Sequence, residues 1–228
     1  MINYGFKLEY NFIILSSPKL SLEQFFISHK KSISIKRACE LVLASLESIE
    51  ELHNHNIIHR DIKPQVLAID VKGGKKEIII FLEFGFWKYF KINNKHITFK
   101  KYKKMIGQNL IYGSINALSG IELSRKDDLE SLSYVLIYII NGSLPWENMK
   151  IKNKEEKIKE ILEMKNQIKA EDLCSGLPEE IKLFVSYIKN LKFEEEPDYN
   201  YLKNLLKVVI NSKDSDKQFY FNSYIKNK

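Results

Sequence analysis

The sequence predicts a mainly helical α+β fold, with a few strands and one tight hairpin preceding a long succession of helices. Three observations predict it. Ala38, Leu41, Val42, Ser45, Ile49 and Leu52 recur at helical spacing and form one apolar stripe. Two short apolar runs, Leu67 to Val71 and Glu77 to Leu82, meet through Gly73-Gly74, a hairpin signal. Finally, Asp127 to Asn141 is apolar almost all round a helical wheel, the pattern of a helix buried on every side.

Taken in order, Tyr10 to Leu15 reads as a strand, and Ser21-Leu-Glu-Gln24 has capping-box spacing, which opens a short helix. The long amphipathic helix follows and ends at His53-Asn-His-Asn56. After the hairpin, an irregular stretch with few apolar periods runs to about Asn116. Gly142 is placed to cap the buried helix, because a left-handed terminal residue costs glycine little. Further amphipathic helices are predicted from Lys152 to Asn166, from Pro178 at a first helical position to Leu191, and from Asp198 to Asn211. No internal repeat or Pro/Gly-rich linker interrupts the pattern.

The composition narrows the function classes. With 228 residues, 44% hydrophobic content and 12% aromatics, the chain is long and apolar enough for one domain with a sizeable core. Cys39 and Cys174 lie far apart, a spacing that suggests neither a disulfide framework nor a zinc site and fits a reducing compartment. The start, MINYGFKLEYNF, lacks a basic stretch followed by an apolar run, so no secretory signal is expected. The longest apolar run, Val135 to Ile140, is too short to span a bilayer. A soluble protein of the cytoplasm or nucleus, with no membrane partner, is the expectation.

The net charge of +7 comes partly from clusters such as Lys100-Lys101 with Lys103-Lys104, and Lys72 with Lys75-Lys76. Such clusters attract phosphates, acidic peptides or nucleic acid, although a solvated lysine-rich surface is the plainer reading. No motif with interleaved aromatics accompanies the charge, which argues against nucleic acid as the partner. His53, His55 and His59 straddle a helix end, do not share one face, and have no carboxylate or cysteine to complete a metal set.

The most informative stretch is HRDIKPQVLAIDVKGGKKEIIIFLEFG, His59 to Gly85. His59-Arg60-Asp61 falls between the long helix and the hairpin, and Glu83-Phe84-Gly85 ends the hairpin's second strand, the order in which a protein-kinase large lobe carries its HRD and DFG motifs. Downstream lies GSINALSGIELSRKDDLESLSYVLIYIINGSLPW, and near the end Pro197-Asp198-Tyr199-Asn200-Tyr201-Leu202. Together these strings resemble the casein kinase I family of protein kinases, from about Tyr10 to Ile210.

The resemblance implies a protein-kinase-like C-terminal lobe over residues 18–211, a truncated N-terminal lobe reduced to two strands and a hinge over residues 1–17, and a tail over residues 212–228. It further implies ATP and magnesium as cofactors and a protein as substrate. Asp61 would accept or orient the substrate hydroxyl proton, and Lys63 would balance charge on the transferred phosphate. His59 and Arg60 would be structural, and Asp128 would hold the catalytic loop's backbone. Leu15 and Ser17 fall where the hinge would bond adenine, and Ala68 and Leu82 where its floor would be. The lysines from Lys100 to Lys104 would hold an acidic or phosphorylated peptide.

The departures are equally specific. The family's metal-binding asparagine is Val66, which has no oxygen to offer, and the DFG aspartate is Glu83, one methylene too long for the same octahedral position. The family's Gly-Thr-Ala-Arg-Tyr-Ala-Ser is replaced by Gly107-Gln-Asn-Leu-Ile-Tyr-Gly-Ser114, without the threonine that braces the catalytic aspartate. Before Tyr10 stand nine residues with Gly5 their one glycine, so the family's Gly-rich loop and the small-lobe elements around its strand lysine are expected to be missing. Removing one preorganised electrostatic group costs about a hundred- to a thousand-fold in rate, and three such losses naively about a million-fold. The expectation is a catalytically impaired, casein-kinase-I-like protein-binding module. The alternative is an active serine/threonine kinase whose small lobe is absent from this chain.

Overall fold

The computed structural model describes residues 3–7, 10–14, 20–72 and 76–212; residues 3–7, 10–14, 72 and 76 are described by their backbone alone. Strands β1 (Asn3–Lys7) and β2 (Tyr10–Ile14) form an antiparallel pair in which Gly5 faces Phe12. Of the hinge positions, Leu15 and Ser17 lie outside the described residues, as do Gly73-Gly74 and the tail from 213 onward.

A two-residue strand β3 (Leu20–Ser21) leads into α1 (Leu22–Ser28). The capping box is formed reciprocally: Gln24 N donates to Ser21 Oγ at 3.2 Å, and Ser21 N to Gln24 Oε1 at 3.1 Å. Two first-turn donors are thereby satisfied where the helix starts. Helix α2 (Ile35–Asn54) is capped by Ser34 and buries Ala38, Leu41, Val42, Ser45, Ile49 and His53. Leu52 is only half-buried. The chain leaves this helix through Asn56 at φ 62°, a left-handed conformation that asparagine tolerates better than most residues.

The hairpin consists of β5 (Leu67–Lys72) and β6 (Lys76–Phe81), paired from Leu67↔Phe81 to Lys72↔Lys76; β4 (Ile57–Ile58) precedes it. Strand β3 joins its other edge through Ser21↔Ala68. Arg37 of α2 makes a bidentate bond to Glu77 of β6, at 2.6 and 2.8 Å, and fixes the hairpin against the helix. The stretch read as irregular contains small ordered pieces: β7 (Lys88–Tyr89) pairs with β4, β8 (Lys91–Ile92) with β9 (Lys95–His96), and α3 (Ile115–Leu118) closes the segment.

Helix α4 (Arg125–Asn141) is the centre of the core, and every residue from Asp127 to Ile140 is buried. Each fully buried Leu or Ile side chain contributes about 1.5–3 kcal/mol before ordering costs. The helix starts two residues before the expected Asp127, which instead acts from the third helical position: its Oδ2 accepts from Ser124 N at 2.8 Å. Gly142 caps the other end at φ 79°, as its position predicted.

Around it lie α5 (Lys154–Gln167), α6 (Ala170–Leu173), α7 (Glu179–Asn190) and α8 (Tyr199–Asn211). Pro178 is the residue before α7 rather than its first: at ψ 147° it is still extended. Cys39 and Cys174 are buried free thiols, each pushed up to about 12 by burial. Among the described residues no helix is long and apolar enough to cross a membrane.

Candidate functional site

The loop from Ile58 to Val66 emerges between α2 and the hairpin, and a single buried carboxylate shapes it. Asp128, near the start of α4, accepts from His59 N at 2.7 Å and from Arg60 N at 2.8 Å. Its Oδ2 also meets His53 Nε2 at 3.1 Å, and His53 Nδ1 meets the Tyr199 hydroxyl at 2.5 Å. Burial alone would raise the Asp128 carboxyl. The bonds from His53 and the His59 backbone outweigh it and hold the group below the usual carboxylate range. Presenting two successive N–H groups to one carboxylate puts Arg60 at φ 70°, a strained position for a residue with a side chain.

The strained turn leads directly into Asp61. Asp61 is only 5% exposed and its Oδ2 accepts from Lys63 Nζ at 2.6 Å. His59 supports it from beneath: its Nδ1 accepts from Asp61 N at 3.3 Å, and its ring packs on Phe81 and Phe84, at centroid distances of 4.8 and 5.8 Å. Burial pushes the His59 imidazole below its ordinary value, so the ring is neutral at pH 7. Of the three histidines read together in the sequence, His53 and His59 serve this loop, whereas His55 is exposed.

The two positions where the resemblance placed metal ligands are very different. Val66 is wholly buried and belongs to the hydrophobic core; its N donates to Lys63 O at 3.1 Å and its O accepts from Leu82 N at 2.8 Å. The backbone is therefore held in place, but the side chain offers hydrocarbon. Glu83 follows the hairpin on the exposed surface. Ala68, buried on β5, and Leu82, half-buried just after β6, are the residues expected to form the adenine floor. No group of three or more metal-ligating side chains occurs among the described residues. Magnesium at phosphate sites is held through one or two protein oxygens plus substrate phosphates, and of Val66 and Glu83 only Glu83 offers a side-chain oxygen.

The segment after Gly85 returns to the loop in a way the sequence did not reveal. Asn109 Nδ2 donates to Ile62 O at 3.0 Å, one residue past Asp61, so an amide braces the loop's backbone where the family's threonine is missing. Ser114 caps α3 and donates to Asp127 Oδ1 at 2.8 Å, while Ile115 N donates to Glu130 Oε1 at 2.8 Å. These bonds seat Ser114-Ile115-Asn116 on α4. Glu122, buried, accepts from Lys88 Nζ at 2.7 Å and from the Tyr102 hydroxyl at 2.6 Å. Burial would raise this carboxyl too, yet those two donors hold it low. Lys100, Lys101, Lys103 and Lys104 are exposed beside it. Asn109, Glu122 and the buried Lys165 escaped the sequence reading because their partners lie 20 to 55 residues away.

Comparison with known proteins agrees with this geometry. Residues 9–217 match the family model of the protein kinase domain. Over 198 residues the chain is 36% identical to a probable casein kinase I homolog of Encephalitozoon cuniculi, covering 86% of this chain and 64% of that protein. The chain thus spans less than two thirds of the length of that curated relative. The loop anchored on Asp128, the Asp61–Lys63 pair and the family match lead to one conclusion: the chain belongs to the protein kinase family, as a casein-kinase-I-like member.

Proposed function

We propose that this chain is a catalytically impaired, casein-kinase-I-like module that binds a protein through the face of its cleft. The observation that carries this reading is Val66. Its side chain is completely buried in hydrocarbon at the position where the family's metal ligand would stand, and Glu83 on the other side is exposed. Asp61 and Lys63 can still orient a hydroxyl, but among the described residues Val66 and Glu83 do not offer the paired metal ligands that would neutralise a triphosphate. The partner chemistry follows from the surface: four exposed lysines between Lys100 and Lys104 border the segment and suit an acidic or phosphorylated peptide.

A thermal melt with ATP, with and without magnesium, tests it, because a ligand that binds only the folded state must raise stability. The expected result is no magnesium-dependent shift. A clear shift, together with labelled phosphate transferred to a protein acceptor and lost in Asp61→Asn, overturns the proposal.

The second reading is an active ATP-dependent serine/threonine kinase that uses a small lobe from outside this chain. It is supported by the Asp61–Lys63 bond of 2.6 Å and the fully bonded Asp128 anchor. The same phosphate-transfer assay separates the two.

A further inference from the structure

A lysine on the inward stripe of a helix needs an explanation, because burying an ammonium without partners is costly. Lys165 lies four residues after the buried Ile161 on α5 and is itself 0% exposed. Its Nζ donates to Gly113 O at 2.6 Å, to Ile111 O at 2.9 Å and to Leu110 O at 3.4 Å. The same ammonium sits over the rings of Tyr134 at 4.5 Å and Trp146 at 4.8 Å, faces rich in negative charge. Trp146 Nε1 donates to the Ile111 carbonyl as well, at 2.8 Å. Burial pushes the Lys165 ammonium down to about 7, and Glu130, which accepts from the Tyr134 hydroxyl at 2.9 Å, acts against that as a nearby negative charge.

Three carbonyls from one four-residue stretch converge on a cation only if the backbone curls around it. Gly113 N donates to Asn109 O at 3.0 Å, and a Cβ on Gly113 would lie 2.2 Å from that oxygen, so only glycine permits the closure. The turn so closed begins with Asn109, whose Nδ2 holds the Ile62 carbonyl. An unbroken series of bonds thus runs from Lys165 through residues 110–113 and Asn109 to the backbone beside Asp61.

We propose that Lys165 is the positioning residue for the peptide-facing side of the cleft: its ammonium gathers the carbonyls of Leu110, Ile111 and Gly113 and so keeps Asn109 on the Asp61 loop. This rests on reading the cleft as a peptide site. The lysine itself touches no substrate.

The test is hydrogen exchange on the full chain, comparing Lys165→Met and Asn109→Ala with the unaltered protein. In Lys165→Met, amides of residues 107–114 and 61–63 should exchange at least tenfold faster while α2 and α4 keep their protection. In Asn109→Ala, residues 61–63 should loosen while 110–113 remain protected. Unchanged exchange at 107–114 in Lys165→Met overturns the proposal.

If Lys165→Met does not fold, acylation of Lys165 in the unaltered protein decides. A rate that follows the opening of residues 107–114 supports the proposal, and one that follows only the opening of α4 overturns it. Binding of a short acidic phosphoserine peptide is measured alongside. If the exchange pattern appears but the peptide binds no variant, the peptide-site reading fails while Lys165's hold on the segment stands.

Discussion

The loop anchored on Asp128 and the positions Val66 and Glu83, where the resemblance placed metal ligands, differ sharply in what they retain. Asp128 accepts from His59 N, Arg60 N and His53, and is buried without an idle oxygen. At Val66 the backbone is bonded on both sides, but the side chain is apolar, and Glu83 is exposed. The difference teaches that bonds which shape the loop and groups which hold a metal-nucleotide are separable requirements, even when interleaved in a single stretch. The fold needs the first set in every state of the protein. The second matters only when a metal-nucleotide is bound, so it can change without disturbing the fold.

The largest expected effect breaks the anchor. Asp128→Ala removes the acceptor for two buried backbone N–H groups and the partner of a buried imidazole, and should cost about 3–5 kcal/mol in denaturant unfolding. A loss below about 1 kcal/mol would mean that the loop finds other partners and that the anchor is dispensable. Next comes Val66→Asn with Glu83→Asp, which sharpens the comparison from the other side. Without ligand, an amide placed among core side chains should destabilise by about 1–3 kcal/mol. If two donors are the missing requirement, the double variant should gain a magnesium-dependent thermal shift with ATP. Its failure to do so would place the defect elsewhere in the cleft.

How much of this was legible in the sequence depended on the range of the interactions. Helices α2 and α4 were readable because a stripe or an all-round apolar pattern repeats over many residues, and the hairpin because its two apolar runs flank adjacent glycines. Motif order singled out Asp61, Lys63 and Asp128; the structure brings Asp61 and Lys63 into direct contact and bonds Asp128 to the backbone of His59 and Arg60. The pairs β4–β7 and β8–β9 and the short helices α3 and α6 were not, because two to four residues leave no period to detect. Lys165 was invisible for a different reason. In sequence it is one lysine among many, and only the curl of a segment more than 50 residues earlier gives it three carbonyls.

The smallest effect concerns what ties the hairpin, and therefore Val66 and Glu83, to α2, the helix whose His53 bonds Asp128. Arg37 reaches from α2 to Glu77 on β6 with two bonds, and its guanidinium holds the Glu77 carboxyl below its ordinary value. The side chains remain 27% and 45% exposed, so water and salt screen the pair, and Arg37→Ala should cost only about 0.2–1 kcal/mol. The sign of the pH dependence follows from the depressed carboxyl. The contribution is fully present above the ordinary glutamate range, near 4.5, and fades as the pH falls through the lower folded value. The difference in unfolding free energy between the unaltered protein and Arg37→Ala should therefore shrink on acidification and with added salt. If the difference instead reached several kcal/mol and ignored salt, the hairpin would depend on this one bridge. Val66 and Glu83 would then be tied to α2 far more tightly than the part-buried bond from Ser48 to the Ile79 carbonyl, at 2.6 Å, already ties them.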